Sequence, residues 1–174
     1  MKYNNEWVIK EGKNDFIFFW GNDPDYPYSQ WYPSPFKVDG ELFPTAEHWM
    51  MAAKAEVFGD KESRDIIMSN PNPDAAKRQG KLVKGFDPVE WDKHKFRIVV
   101  EGNSYKFSIP EFWEKLMYTG DKVLVEASPY DPIWGIGMGV DHPNINNPAK
   151  WKGQNLLGYA VMEVRDNLKI TKND

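Results

Sequence analysis

Apolar residues fall in short runs along this chain, and the runs follow two periods. Phe16-Ile17-Phe18-Phe19-Trp20 is unbroken, bounded by charge on one side and by Gly21-Asn22 on the other, and predicts a buried strand. Lys122 to Ala127 predicts another strand. Phe36 to Phe43 brackets Asp39-Gly40, a two-residue turn signal, and predicts a hairpin with Phe36 opposite Phe43 on the face of Val38. Helical signals fill most of the rest. Thr45 stands as a cap before Ala46, with Pro44 keeping the preceding residue out of helical geometry. Asp60 to Met68 reads as a short helix stopped by Asn70-Pro71, and Asn72-Pro73 begins another. Asp87-Pro88-Val89-Glu90 opens the longest helix, running toward Lys106, with Trp91, Phe96, Val99 and Val100 as core candidates. Ser108-Ile109-Pro110-Glu111 has capping-box spacing and opens a helix that ends near Gly120. Gln154 to Asn167 closes the chain as a helix. Between the strands and helices lie a Pro- and aromatic-rich loop over 22–35, a Pro/Gly loop over 128–139 and a polar loop to Lys152. Few short strands and many helices, without regular βαβ alternation, predict an α+β fold.

Length and composition narrow this further. A chain of 174 residues suits one domain with a sizeable core, and no linker, charge block or repeat divides it. Eight Trp supply rings for that core and for stacking on flat ligands. In the loop over 22–35, Tyr26, Tyr28, Trp31 and Tyr32 suit either a pocket mouth or rings that pin the loop over the core. The net charge of −4 and the lack of a basic run argue against broad electrostatic capture of nucleic acid, while leaving room for one local phosphate pocket. The absence of cysteine excludes disulfides, a catalytic thiol and a Cys-zinc site. Met1-Lys2-Tyr3-Asn4-Asn5-Glu6 lacks the apolar core of a signal peptide, and no apolar run is long enough for a membrane span. The expectation is a cytoplasmic protein with no membrane partner.

Candidate chemistry concentrates in Phe43-Pro44-Thr45-Ala46-Glu47-His48-Trp49-Met50-Met51-Ala52-Ala53-Lys54. Glu47 and Lys54 are seven residues apart, nearly two helical turns, so they share a face about 10 Å apart along the axis. That is too far for a helix salt bridge but fits two ends of one sugar-sized ligand. A lysine among alanines is pushed toward its neutral, nucleophilic form. The same spacing also suits a solvated Glu and a snorkelling Lys on an amphipathic helix. Lys77, Arg78 and Lys81 suit either phosphate recognition or a helix end complementing its own dipole. Three scattered histidines make no metal cluster; His48 points about 100° from Glu47 and reads as a packed or capping residue. Gly135-Ile136-Gly137-Met138-Gly139 matches neither phosphate-binding fingerprint and reads as a flexible connection. Serine-hydrolase chemistry has no nucleophile elbow here. Glu47, Lys54 and Asp131, with Trp134 beside it, remain. Carboxylates plus a nucleophile suit cleavage of an N-glycosidic bond, where the nitrogen leaving group is protonated and positive charge at the anomeric carbon is stabilised. Either Lys54 traps that carbon as an imine, or a carboxylate orients water for direct attack.

Phe36-Lys37-Val38-Asp39-Gly40, Pro44-Thr45-Ala46-Glu47-His48-Trp49 with Ala53-Lys54, Asp131 with Trp134-Gly135, and Gly153-Gln154-Asn155-Leu156-Leu157-Gly158 together resemble the signature of the YbiA/NADAR family. The four blocks fall in that family's order and cover about 16–168 of a single domain over 1–174. The resemblance implies an N-glycosidase for phosphorylated ribosyl intermediates of riboflavin synthesis, or for ADP-ribose on guanine bases, including a base within nucleic acid. It implies neither cofactor nor metal. It assigns Glu47, Lys54 and Asp131 to catalysis, with Lys54 as the imine-forming group. It assigns Trp134, Asn155, Arg78, Lys81, Trp91 and Gly135 to substrate binding. Glu47 in a first helical turn is stabilised as an anion, so Asp131 has the better claim to the acid role. Ser29-Gln30-Trp31 stands where the family usually has Ser-Asn-Phe, which points to an altered pocket rim, and the loop over 140–152 is longer than in compact members. A binding module for ADP-ribose or NAD-like ligands without turnover is the competing expectation.

Overall fold

A computed structural model describes residues 1–171, Asn22 and Pro24 excepted. In chain order the elements are α1 (Asn5–Lys10), β1 (Phe16–Phe19), β2 (Phe36–Val38), β3 (Glu41–Phe43), α2 (Ala46–Val57), α3 (Lys61–Ser69), α4 (Pro73–Gly80), α5 (Pro88–Phe107), α6 (Pro110–Tyr118), β4 (Val123–Glu126) and α7 (Leu156–Thr171). The fold class is α+β, as the pattern predicts. The chain forms two compact units within the span that the sequence assigns to one domain. One is Met1–Ser29 with Pro110–Asp174; the other is Gln30–Ile109.

The unit Gln30–Ile109 is built on α2. The β2–β3 hairpin has the predicted register, Phe36 opposite Phe43, around Asp39 and Gly40 at φ 50° and 86°. Positive φ at both turn residues is what a two-residue hairpin turn requires. Side chains at opposite positions share a face, so Phe36 and Phe43 stack at 5.7 Å. Phe43 meets Trp49 of α2 at 5.1 Å, and Trp49 meets Tyr105 of α5 at 5.3 Å. Trp49 also donates its indole N–H to the Ile98 carbonyl at 2.9 Å. One ring series thus ties hairpin, α2 and α5. Asp60, Asn72 and Asp87 cap α3, α4 and α5, each accepting from the first turn, so these helices start where the sequence predicts.

The other unit is centred on a parallel pair, β1 with β4, in the register Phe16 opposite Val123 through Phe19 opposite Glu126. The strand predicted at Lys122–Ala127 is β4, and its consecutive Val123, Leu124 and Val125 are all fully buried. An unbroken apolar run is what a parallel strand covered on both faces requires. Helix α7 lies on β4. A Cβ on Gly158 would stand 2.1 Å from the Leu124 carbonyl oxygen, so only glycine lets the helix come this close. Helix α1, which the pattern does not predict, is six residues long, capped by Asn4. It is held by tertiary bonds rather than by propensity: Asn5 donates to the Gly153 carbonyl at 3.0 Å and accepts from the Tyr159 hydroxyl at 2.8 Å.

The 135–139 segment is not the flexible connection its glycines predict. Ile136 and Met138 are buried, Ile136 N–H donates to the Glu126 carbonyl at 3.0 Å, and Lys152 N–H donates to the Ile136 carbonyl at 2.9 Å. A Cβ on Gly153 would lie 2.3 Å from the Gly135 oxygen. These glycines serve close backbone packing. The polar loop to Lys152 is pinned as well, by the Trp151 indole donating to the Ile145 carbonyl at 2.7 Å and by a single 3-10 turn at Pro148–Lys150.

Candidate functional site

Helix α2 begins where Thr45 accepts from the His48 N–H. That fixes Glu47 in the first turn, where the helix dipole favours an anion. Glu47 is only 5% exposed, and its N–H donates to the Gln30 carbonyl at 3.0 Å. Two turns on, Lys54 is half-buried. Its Nζ donates to the Gly80 carbonyl at the end of α4 at 2.7 Å, and lies 4.1 Å from the Phe86 ring centre and 5.8 Å from that of Trp91. Burial holds the Lys54 amine below the ordinary lysine value, and the charge of Glu47 pulls it back up. The rings and the carbonyl favour the ammonium form. The amine is therefore bound as a cation but is more easily deprotonated than a surface lysine.

His48 is fully buried and structural. Its Nε2 faces the Asn70 carbonyl at 2.8 Å, which only accepts, so Nε2 carries the proton and Nδ1 accepts from the Thr45 hydroxyl at 2.8 Å. This matches a packed, capping histidine. His94 pairs with Glu90 at 2.8 Å, and His142 accepts from the Asn144 N–H at 3.1 Å. Among the described residues, no group of three or more His, Asp or Glu side chains is placed to hold a metal ion.

The remaining predicted site residues of this unit are placed unequally. Trp91 is buried beside Lys54. Arg78 is exposed and paired with Asp74 one turn back, and Lys81 is exposed as the cap of α4. That placement is what a helix end complementing its own dipole looks like. Lys77, by contrast, lies 5.7 Å from the Trp31 ring centre. Phe86 is the residue that sequence reasoning missed. It sits in a loop, without periodicity to mark it.

In the other unit, the Asp131 carboxylate accepts from the backbone N–H groups of Ile133 and Trp134 at 2.9 and 2.8 Å, which orients Trp134. Gly135 is buried against the Glu126 carbonyl. Asn155 is fully buried: Oδ1 accepts from Glu126 N–H and Nδ2 donates to the Leu124 carbonyl, both at 2.9 Å. Its amide is thus committed to the edge of β4. Tyr26 and Tyr28 line a groove of about 800 Å³ with Phe16, Phe18 and Tyr118, which contains none of the predicted site residues.

The NADAR domain model matches residues 18–169. The chain belongs to the NADAR family. Its NADAR relatives include N-glycosidase R617 of Acanthamoeba polyphaga mimivirus, 43% identical over 87% of this chain and 95% of the relative. N-glycosidase YbiA of Escherichia coli strain K12 is 31% identical over 92% of each chain. The NMR structure of that Escherichia coli protein superposes with a TM-score of 0.76 at 30% identity, covering 93% of this chain and 89% of the other. The riboflavin biosynthesis protein PYRR of Zea mays is 31% identical over 75% of this chain, but over only 21% of its own length. The relatives matched over more than nine-tenths of their own length are N-glycosidases by name, and the chain shares their enzyme class, N-glycoside hydrolase. Among the described residues, no helix is long and apolar enough to cross a membrane.

Proposed function

We propose that this chain hydrolyses the bond between a ribosyl C1 and a ring nitrogen, in a phosphorylated ribosyl or ADP-ribosyl substrate. One observation carries the reading: an amine made easier to deprotonate by burial, Lys54, shares a helix face with the buried carboxylate of Glu47. The names of the relatives support the class of bond, and the maize relative's name supports a substrate connected with riboflavin biosynthesis. ADP-ribosylated guanine is the second substrate of the same chemistry. A cytoplasmic location suits both.

In the covalent route the neutral Lys54 amine forms a bond to C1 as the C1–N bond breaks. The bonding pair leaves with the base, which takes up a proton, and the amine nitrogen loses one. Opening of the sugar ring turns the adduct into an imine. Water adds to the imine carbon, and the resulting carbinolamine collapses to free sugar and free amine. Glu47, held as an anion by its first-turn position, steadies the positive charge that develops at C1. Asp131 keeps its proposed acid role and Trp134 its proposed stacking role. Arg78 and Lys81 are proposed for the phosphate. The test is incubation with ribosyl phosphates of riboflavin synthesis and with ADP-ribosylated guanosine. Release of free base is the expected result. Tight binding of ADP-ribose with no product from either substrate would leave the binding-module reading in its place.

A further inference from the structure

We infer that Gln30 is a positioning residue for Glu47, acting through an amide bridge between α5 and the first turn of α2; the inference rests on the functional reading of Glu47 given above. The sequence departure at Gln30 suggests an altered rim, yet Gln30 is only 7% exposed. Its Oε1 accepts from Nδ2 of the fully buried Asn103 at 2.8 Å. Asn103 Nδ2 is shared with the Val99 carbonyl one turn back, also at 2.8 Å, which fixes the Asn103 amide to its own helix. At its other end Gln30 faces the first turn of α2. Its Nε2 donates to the Ala46 carbonyl at 3.3 Å and lies 3.9 Å from Met50 Sδ, while its own carbonyl accepts from the Glu47 N–H at 3.0 Å.

Three contacts of one residue thus bracket Glu47 in sequence, at Ala46, Glu47 and Met50. First-turn N–H groups have no partner within the helix. Thr45 supplies one to His48, the Gln30 main-chain carbonyl supplies one to Glu47, and the Gln30 side chain ties that position to a helix of twenty residues. The length of the side chain is the operative feature. An asparagine at position 30 is one methylene shorter and cannot reach Asn103 and Ala46 from the same backbone position.

This makes a reciprocal exchange the decisive experiment. Gln30→Asn shortens the bridge, Asn103→Gln lengthens it, and the double variant restores the total span. Two quantities are read in each protein: steady-state kinetics with a ribosyl–nitrogen substrate, and hydrogen exchange at the Glu47 and His48 amides. Each single variant should lower kcat about 10- to 100-fold, the range expected for a small displacement of a reacting group, with KM within about twofold. Exchange at the two amides should rise about tenfold. The double variant should regain both. Should Gln30→Asn fail to fold, Gln30→Met, of similar length without the amide, takes its place. Unchanged kcat in a variant whose Glu47 amide exchanges faster would overturn the positioning role. So would a double variant that regains amide protection without regaining kcat. If the unaltered protein turns over no ribosyl–nitrogen substrate, the functional reading falls. Amide exchange then still decides the bridge, and unchanged exchange in both single variants overturns it.

Discussion

At the scale of single residues, the chemistry turns on the environment of one amine. Lys54→Ala should lower kcat by about 10²–10⁴-fold and abolish borohydride trapping of the sugar on the protein. Lys54→Arg should fail too, because a guanidinium keeps its charge. An arginine variant with near-normal turnover, read in the same trapping assay, would remove the covalent route and leave direct water attack. A pH profile adds an independent check. The reactive form is the neutral amine, so kcat/KM should rise with pH through the depressed Lys54 pKa. In Glu47→Gln the charge that raises this pKa is gone, and the rising limb should move to lower pH. His48 predicts the opposite kind of pH effect, on stability. Burial lowers its pKa, and its bond to Asn70 offsets this only in part. The unfolded chain therefore binds a proton at about pH 6.5 that the folded chain refuses. Stability should be full above that value and fall as the pH drops below it. Urea unfolding between pH 5 and 8 should show the slope, and His48→Gln should lose that component of it.

At the scale of elements, what was legible and what was not divides by physical cause. Caps and turns were legible, because Thr45, Asp60, Asn72, Asp87 and Asp39-Gly40 act through bonds to their own neighbours. Helix α1 was not, since its stability comes from Asn5 reaching Gly153 and Tyr159 far along the chain. The 135–139 segment misled for the same reason: its glycines look like freedom locally but are used for close packing at a distance. In the candidate site, the Glu47/Lys54 face followed from helical spacing. Phe86 and the Gly80 carbonyl did not, because no period links a loop and a helix end to a side chain on another helix. Two stability predictions belong here. Thr45→Ala removes the α2 cap and should cost about 1 kcal/mol. Gly158→Ala should cost about 1–3 kcal/mol or more, since a methyl would meet a backbone carbonyl in the core and neither α7 nor β4 has a soft side chain to move aside. Urea midpoints at constant slope measure both.

At the scale of the whole molecule, the family blocks were readable although they lie in different units. Pro44–Lys54 falls in one unit and Asp131–Gly158 in the other, and each block is recognisable from local spacing alone. Arg78 remains the least anchored member of the set. If it meets the substrate phosphate, Arg78→Ala should raise KM with kcat nearly unchanged, because a remote charge contact acts alike in ground and transition states. Steady-state kinetics separates the two, and lowered kcat at constant KM would remove it from that role. The parallel pairing of β1 with β4 has a consequence for synthesis. The strand Phe16–Phe19 finds its partner only at Val123–Glu126, with the whole Gln30–Ile109 unit in between. At ordinary translation rates, roughly 5–20 s separate the emergence of the two strands from a ribosome. During that interval the inserted unit already has its own partners, while a four-residue strand of Phe and Ile waits unpaired. Nascent chains that stall between residues 20 and 120 should therefore be the form that chaperones hold and that aggregates first.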